Sequence, residues 1–207
     1  IVFLGAGAAG CSCARLLKLM GAKNILLVDR KGVINKKRKD LNKYNQDLTI
    51  KTKCNTLEDA MIDSDVFIGV SGANLLSSDL LLKMNQNPII FALANPDPEI
   101  LPEEAHSVRD DIVMATGRSD FPNQVNNVLG FPFLFRGALD AKAKEINNDM
   151  LVAAATALAK LAKEEVPQSV LDAYEVESMS FGKEYFIPKP FDPRLIDWVA
   201  KAVREAA

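Results

Sequence analysis

Short apolar runs that recur between amphipathic segments constrain the fold of this chain more than any other feature. Each run is continuous rather than alternating, which is typical of strands covered on both faces. The runs lie at residues 1–4, 25–28, 66–70, 89–93 and 112–115. Because strands and helical segments follow one another with short connections, the pattern predicts an α/β fold with a five-stranded parallel sheet.

Helix boundaries are marked by local signals in the first half of the chain. A helix over residues 8–20 is expected to end at Gly21, a residue that caps helices well. A second helix over 56–63 begins with Thr56 and has Asp59 three residues later, close to a capping box. A third is predicted over residues 77–84.

The pattern changes after about residue 130. Residues 145–165 predict one long helix with a single apolar face, and residues 167–190 predict a region rich in loops. The pair Asp192-Pro193 predicts the start of a last helix. We therefore expect a sheet domain at 1–140. Extra C-terminal helices at 141–207 would pack on it or on a further domain.

The chain opens inside an apolar strand, at Ile1, without a methionine. A strand of this kind is seldom the start of a natural protein. We therefore expect an N-terminal domain to precede Ile1.

Charge and cysteine usage exclude several classes of protein. The formal net charge is −2, which offers no basic field to nucleic acid. No stretch approaches the roughly 20 apolar residues of a membrane span. The chain has only three cysteines, an odd number that does not suggest a set of disulfide bonds. A reducing compartment, and hence the cytoplasm, is therefore predicted.

A glycine-rich loop follows the first predicted strand and opens the first predicted helix, where the motif G-x-G-x-x-G has its functional context. Its residues are Gly5, Ala6, Gly7, Ala8, Ala9 and Gly10. In such a loop the first glycine allows a tight turn, the second lets the backbone approach a pyrophosphate, and the third lets the helix pack closely. The loop predicts a Rossmann-like, doubly wound fold that binds a dinucleotide.

The second strand ends in Asp29, at the distance from the loop expected for an acid that contacts the ribose hydroxyls. Arg30 follows it, and a basic cluster occupies residues 36–39. Such a cluster would suit the 2′-phosphate of NADP, or it is simply a solvated charged loop. Asp29 would repel a 2′-phosphate. The sequence leaves NAD or NADP open, with a slight preference for NAD.

Amide side chains follow two later strands. Asn95 ends the fourth predicted strand and is aimed at the crevice where parallel sheets bind ligands, although Asn-Pro also favours turns. Asn126 and Asn127 precede an apolar segment and predict either a helix cap or a ligand contact. Ser71 follows the third strand, where its backbone is expected to reach the cofactor.

Other catalytic arrangements have little support. His106, the single histidine, lies in a polar segment and is interpreted as a surface residue. The spacing of histidine, cysteine and acidic residues predicts no metal site, and no hydrolytic triad is indicated.

Five segments together resemble the nucleotide-binding domain of malic enzymes, in their compact bacterial form, and the tail "SFGKEYFIPKPFDPRLIDWVA" is similar to that form too. The segments are "FLGAGAAG", "VDRKGVI", "DVFIGVSGAN", "PIIFALANPDPEI" and "ATGRSDFPNQVNNVLGFPFLFRGALD". The resemblance implies oxidation of L-malate by NAD or NADP, decarboxylation to pyruvate and CO2, and a need for Mg2+ or Mn2+. It also implies a homodimer or larger assembly.

The resemblance also implies roles for individual residues. The glycine loop would hold the dinucleotide and Asp29 the adenosine ribose. Asn95, and Asn127 with Asn126 beside it, would contact substrate and the nicotinamide end. The family's catalytic tyrosine, lysine and acidic metal ligands all precede the glycine loop. No catalytic residue and no metal ligand is therefore assigned in this chain.

Two alternatives remain open at the level of sequence. One is a non-catalytic module that binds or senses a dinucleotide. The other is a different amino- or hydroxy-acid dehydrogenase, against which the asparagine-rich stretch argues.

Overall fold

The structure, a computed structural model, describes all residues from 1 to 207. By its contacts the chain forms two compact units, Ile1–Phe121 and Pro122–Ala207. The sequence predicts a boundary after residue 140 instead. The difference arises because residues 131–140 form a helix that packs on the C-terminal helices.

The first unit is built on one six-stranded sheet. Its strands are β1 (Val2–Leu4), β2 (Leu26–Asp29), β3 (Gly32–Val33), β4 (Val66–Gly69), β5 (Ile89–Ala92) and β6 (Val113–Thr116). Their order across the sheet is β3-β2-β1-β4-β5-β6. All five predicted strands are present and all pair in parallel, so the α/β, doubly wound prediction is confirmed.

The sixth strand, β3, is absent from the sequence prediction. It pairs antiparallel with β2, Asp29 opposite Gly32, through a tight turn. Gly32 has φ +105°, and a Cβ there would lie 2.1 Å from the carbonyl oxygen of Asn55, so only glycine fits. Two residues are too few to produce a readable strand pattern.

Four helices complete the first unit: α1 (Ala8–Leu19), α2 (Leu57–Met61), α3 (Ser78–Leu81) and α4 (Pro102–Val108). α1 ends as expected, with Gly21 at φ +101° and its N–H bonded to the carbonyl of Lys18. The predicted capping box of α2 is present, since Thr56 and Asp59 exchange side-chain and backbone bonds.

Helices cover both faces of the sheet around β1. Phe3 packs with Cys11 and Ala14 of α1 on one face. Val2 and Leu4 point the other way, into a core shared with residues of α2, α3 and α4. Burial on both faces explains why β1 is apolar without alternation.

The second unit is helical. Its helices are α5 (Phe131–Asp140), α6 (Asn148–Leu161), α7 (Gln168–Ala173) and α8 (Lys201–Glu205), the last preceded by a π-helical turn over Ile196–Ala200. The predicted long helix corresponds to α6. It begins later than expected because Asn147 caps it by accepting from the N–H of Met150. Its buried Met150, Ala154 and Leu161 face Leu195, Val199 and Val203.

Helix α7 and the last helical segment differ from what the sequence predicts for this unit. α7 lies inside the region predicted to be loops, where six residues are too short for a periodic signal. The last helical segment begins at Ile196 with Leu195 as its N-cap, so the predicted start at Asp192-Pro193 is three residues too early. Asp192 accepts the backbone N–H of Arg194 and also pairs with its guanidinium.

Candidate dinucleotide-binding site

The sheet order places a crevice beside β1. In the sheet, β1 lies between β2 and β4. The connection that follows β1 leads to β2 on one side, whereas the connection that follows β4 leads to β5 on the other side, so the two connections run in opposite directions. Ligands of open parallel sheets bind at such a point, outside the carboxyl ends of the strands. A cavity of about 870 Å³ opens here, lined by residues 4–7, 28–32 and 55–57 with Val70, Ser71 and Leu75.

Two glycines of the loop are required by close backbone packing. Gly5 has φ +121°, and a Cβ on it would lie 2.8 Å from the carbonyl oxygen of Val70. A Cβ on Gly10 would lie 1.9 Å from the carbonyl oxygen of Gly5. Turn and helix therefore come together only because both residues lack a side chain, as the motif predicts.

Gly7 differs from both, because a Cβ on it would meet no protein atom within 4 Å. It is the N-cap of α1, has no side-chain cap, and lines the cavity together with Ala6. Ala8 and Ala9, which begin the helix, are exposed. Uncapped N–H groups at the start of a helix, with no acidic residue in the first turn, attract phosphate.

Asp29 lies on the far side of the cavity, at the end of β2, and its carboxylate is held by three donors. Arg38 donates to both oxygens, at 2.7 and 2.9 Å, and the N–H of Lys31 donates at 2.8 Å. Partial burial works to raise the pKa of Asp29, but these hydrogen bonds outweigh it and the pKa lies below its usual value.

Arg38 is the one residue of the basic cluster that turns inward. Its side chain is 14% exposed and also donates to Asp40, which is paired with Lys31 as well. For Arg38 the interpretation as a solvated loop residue is therefore wrong. Because Arg38 compensates the negative charge of Asp29, Asp29 repels the 2′-phosphate of NADP only weakly. Such repulsion is therefore a weak reason to prefer NAD over NADP.

Arg30 lines the cavity beside Asp29, is exposed, and makes no hydrogen bond or ion pair. Ser71 lines it too, but its N–H donates to Oε1 of Glu99 at 3.0 Å. The expected contact of Ser71 with a cofactor would therefore come from an atom other than its amide nitrogen.

Asn95 is exposed just beyond β5, as expected for a residue aimed at the crevice. Its carboxamide packs over Gly117, which follows β6: a Cβ on Gly117 would lie 2.9 Å from Nδ2 and 3.0 Å from Oδ1. The side chain makes a long hydrogen bond of 3.5 Å to the carbonyl of Leu93. Its polar atoms are thus positioned mainly by packing.

The amides of the second unit divide into different roles. Asn123 is buried and structural, bonded to the carbonyl of Lys183 and the N–H of Phe186. Asn126 caps a 3₁₀ turn over Asn127–Leu129 by accepting from the N–H of Val128 at 3.1 Å. Asn127 is exposed, and no hydrogen bond holds its side chain. The cap interpretation thus applies to Asn126, and Asn127 is the better candidate for a ligand contact.

Nowhere do three or more histidine, cysteine or acidic side chains come together in a group able to hold a metal ion. His106 is exposed at the end of α4. The helices are all too short or too polar to span a bilayer.

Sheet order, glycine loop and acid together define a dinucleotide-binding domain of the Rossmann type. The family model described as "Malic enzyme, NAD binding domain" matches residues 1–179. The chain belongs to this family.

Full-length relatives support the assignment. Over its whole length the chain is 54% identical to the NADP-dependent malic enzyme of Halomonas elongata and covers 50% of that protein. It is 47% identical to the NAD-dependent malic enzyme of Rhizobium meliloti, of which it covers 27%. Among solved structures, the NAD-dependent malic enzyme of Thermotoga maritima superposes with a TM-score of 0.84 at 38% identity, and this chain covers 51% of it. The chain thus spans about half or less of the length of these proteins.

Proposed function

We propose that the protein containing this domain catalyses oxidative decarboxylation of L-malate to pyruvate and CO2 with reduction of NAD or NADP. The observation that carries the proposal is the family match across residues 1–179. The uncapped start of α1 at Gly7, open to the cavity, supports it because that geometry suits a pyrophosphate.

The residues of the cavity fit a dinucleotide. Residues 5–10 would hold the pyrophosphate through backbone N–H groups at the start of α1, and Asp29 would accept a ribose hydroxyl. Three of the roughly four acceptor positions of its carboxylate are already used, so one hydroxyl contact is expected rather than two. Arg30 would lie next to the ribose and would tolerate a 2′-phosphate. Either cofactor therefore fits.

A bound cofactor would supply the nicotinamide ring as acceptor for the hydride of malate C2. The part of this chain in that step is to orient the reactants. Asn95 and Asn127, with Asn126 beside it, would donate and accept hydrogen bonds to the substrate's carboxylate and hydroxyl and to the nicotinamide amide. The hydroxyl proton would pass to a base outside this chain.

Further properties of the intact enzyme belong to the same proposal. A Mg2+ or Mn2+ ion would be held by residues outside this chain, and the orienting role of the asparagines does not depend on it. A homodimer or larger assembly is implied by the family resemblance. A cytoplasmic location is supported by three free cysteines.

Assay of the full-length protein tests the proposal directly. With L-malate, Mn2+ and either NAD+ or NADP+, we expect malate-dependent formation of reduced nicotinamide with one pyruvate released per turnover. Cofactor binding without any malate-dependent reduction would contradict the enzymatic function. That result would favour the alternative of a non-catalytic dinucleotide-binding or sensing module.

A further inference from the structure

Glu99 is a fully buried acidic residue whose carboxyl group bonds to the backbone of two different loops. Oε1 accepts the N–H of Ser71 at 3.0 Å, and Oε2 accepts the N–H of Ala94 at 3.1 Å. Burial of such a group is unfavourable unless its oxygens are satisfied. Here both oxygens are used, and both donors lie just past the end of a strand.

The sheet makes room for this carboxyl group at the end of β4. A Cβ on Gly69 would lie 2.3 Å from Cδ of Glu99 and 2.6 Å from each of its oxygens. The carboxyl group therefore packs directly on the backbone of Gly69. Any other residue at that position would displace it.

The two anchored loops carry different parts of the proposed site. Ser71 lines the cavity beside the glycine loop, and Ala94 immediately precedes Asn95. Backbone bonds from Leu76 to the carbonyl of Glu99 and from Asn74 to that of Pro98 strengthen the link. The carboxyl group is thus the side-chain link between the loop after β4 and the loop that presents Asn95.

We propose that Glu99 is a positioning residue, which sets the placement of Asn95 relative to the cofactor cavity by holding the Ala94 and Ser71 amides together. This inference rests on the proposed function, because it takes Asn95 as the group that orients substrate and nicotinamide. Hydride transfer is sensitive to such placement, since a shift of about 1 Å can reduce a rate about 100-fold. Cofactor affinity, which depends on the glycine loop, is much less dependent on Glu99.

The test uses the full-length protein with Glu99→Gln, which keeps the size of the side chain. One of its two polar ends becomes an NH2 group facing a backbone N–H, so one anchor is lost. We expect kcat to fall about 10- to 100-fold, while the Kd of the reduced cofactor changes less than about threefold. The isotope effect with malate deuterated at C2 is expected to increase, because C–H cleavage becomes more fully rate-limiting.

A double-mutant cycle identifies the route of the effect. In an Asn95→Ala background, Glu99→Gln is expected to add little further loss of kcat, because the positioned group is already gone. Glu104→Gln, an exposed glutamate on α4, serves as the matched control and is expected to leave all constants unchanged. If Glu99→Gln does not fold, Glu99→Asp replaces it, since its shorter side chain cannot reach both amides.

Two outcomes would overturn the proposal. One is a lower Tm with unchanged kcat per folded molecule and an unchanged isotope effect, which shows a purely structural role. The other is full additivity with Asn95→Ala. Failure of the proposed function would look different, because the unmutated full-length protein would then show no malate-dependent reduction.

Discussion

A Cβ placed on Gly117 would lie 2.9 Å from Nδ2 of Asn95. The two residues follow neighbouring strands, β6 and β5, and the carboxamide rests where a side chain of residue 117 would be. The orientation of Asn95 therefore depends on the absence of a side chain in the next loop. This dependence can be tested by adding one methyl group.

Gly117→Ala is expected to lower kcat of the full-length protein about 10- to 100-fold by displacing the Asn95 carboxamide. The Kd of the cofactor should change little, and steady-state kinetics with binding titrations measures both. Gly182→Ala is the control, because its nearest neighbour would be 3.9 Å away. A normal kcat for Gly117→Ala would show that the position of Asn95 does not matter.

Gly7→Ala and Gly10→Ala should separate binding from stability. The methyl of Gly7→Ala enters the open cavity, so the Kd of the cofactor should rise about tenfold or more. The free energy of unfolding should change by no more than about 1 kcal/mol.

Gly10→Ala should instead destabilise the fold by about 3 kcal/mol or more, because its methyl meets the Gly5 carbonyl oxygen at 1.9 Å. Fluorescence titration with the reduced cofactor and thermal unfolding distinguish the two variants. An unchanged Kd of the cofactor for Gly7→Ala would contradict the assignment of Gly7 to the phosphate cradle.

Asn126 and Asn127 should differ although they are adjacent. Asn126→Ala removes a cap and should cost about 0.5–2 kcal/mol of stability. Asn127→Ala removes no internal hydrogen bond, so its Tm should stay near that of the unmutated protein. Loss of a substrate contact worth about 1–3 kcal/mol would lower turnover roughly 5- to 150-fold. Unchanged kinetics with a lower Tm for Asn127→Ala would assign it to capping instead.

The Arg38–Asp29 pair should give stability a defined pH dependence. The pKa of Asp29 is lower in the folded protein than in the unfolded chain, where it is about 3.9. The pair's contribution is thus fully present above about pH 4, and it is lost as the pH falls through the lower folded pKa.

Arg38→Gln is expected to reduce the free energy of unfolding at pH 7 by about 1–3 kcal/mol and to flatten its fall in acid. Urea unfolding at a series of pH values measures both changes. Arg136→Gln, which removes an exposed i,i+4 pair with Asp140, should cost less than about 0.5 kcal/mol. Identical pH profiles for Arg38→Gln and the unmutated protein would show that Asp29 has no special partner.

The amino-acid sequence by itself determined the elements whose signals are local. Residues close together in the chain were enough to predict four features. These are the five apolar strands, the glycine loop between β1 and α1, the Thr56–Asp59 capping box and the placement of Asp29 at a strand end. Their physical basis is short-range: backbone φ/ψ, caps and the periodicity of burial.

Only the tertiary structure decided how distant residues share space. The sequence allowed Arg38 to be interpreted as part of a charged loop. Its partner in the structure is Asp29, and the short β2–β3 hairpin that brings the two together has no sequence signal. Glu99 was part of a recognisable motif, yet its carboxyl group lies over Gly69 and bonds to Ser71, thirty and twenty-eight positions earlier in the chain. Such contacts are set by strand order and by the space that a missing side chain leaves, and neither is encoded in the neighbouring residues.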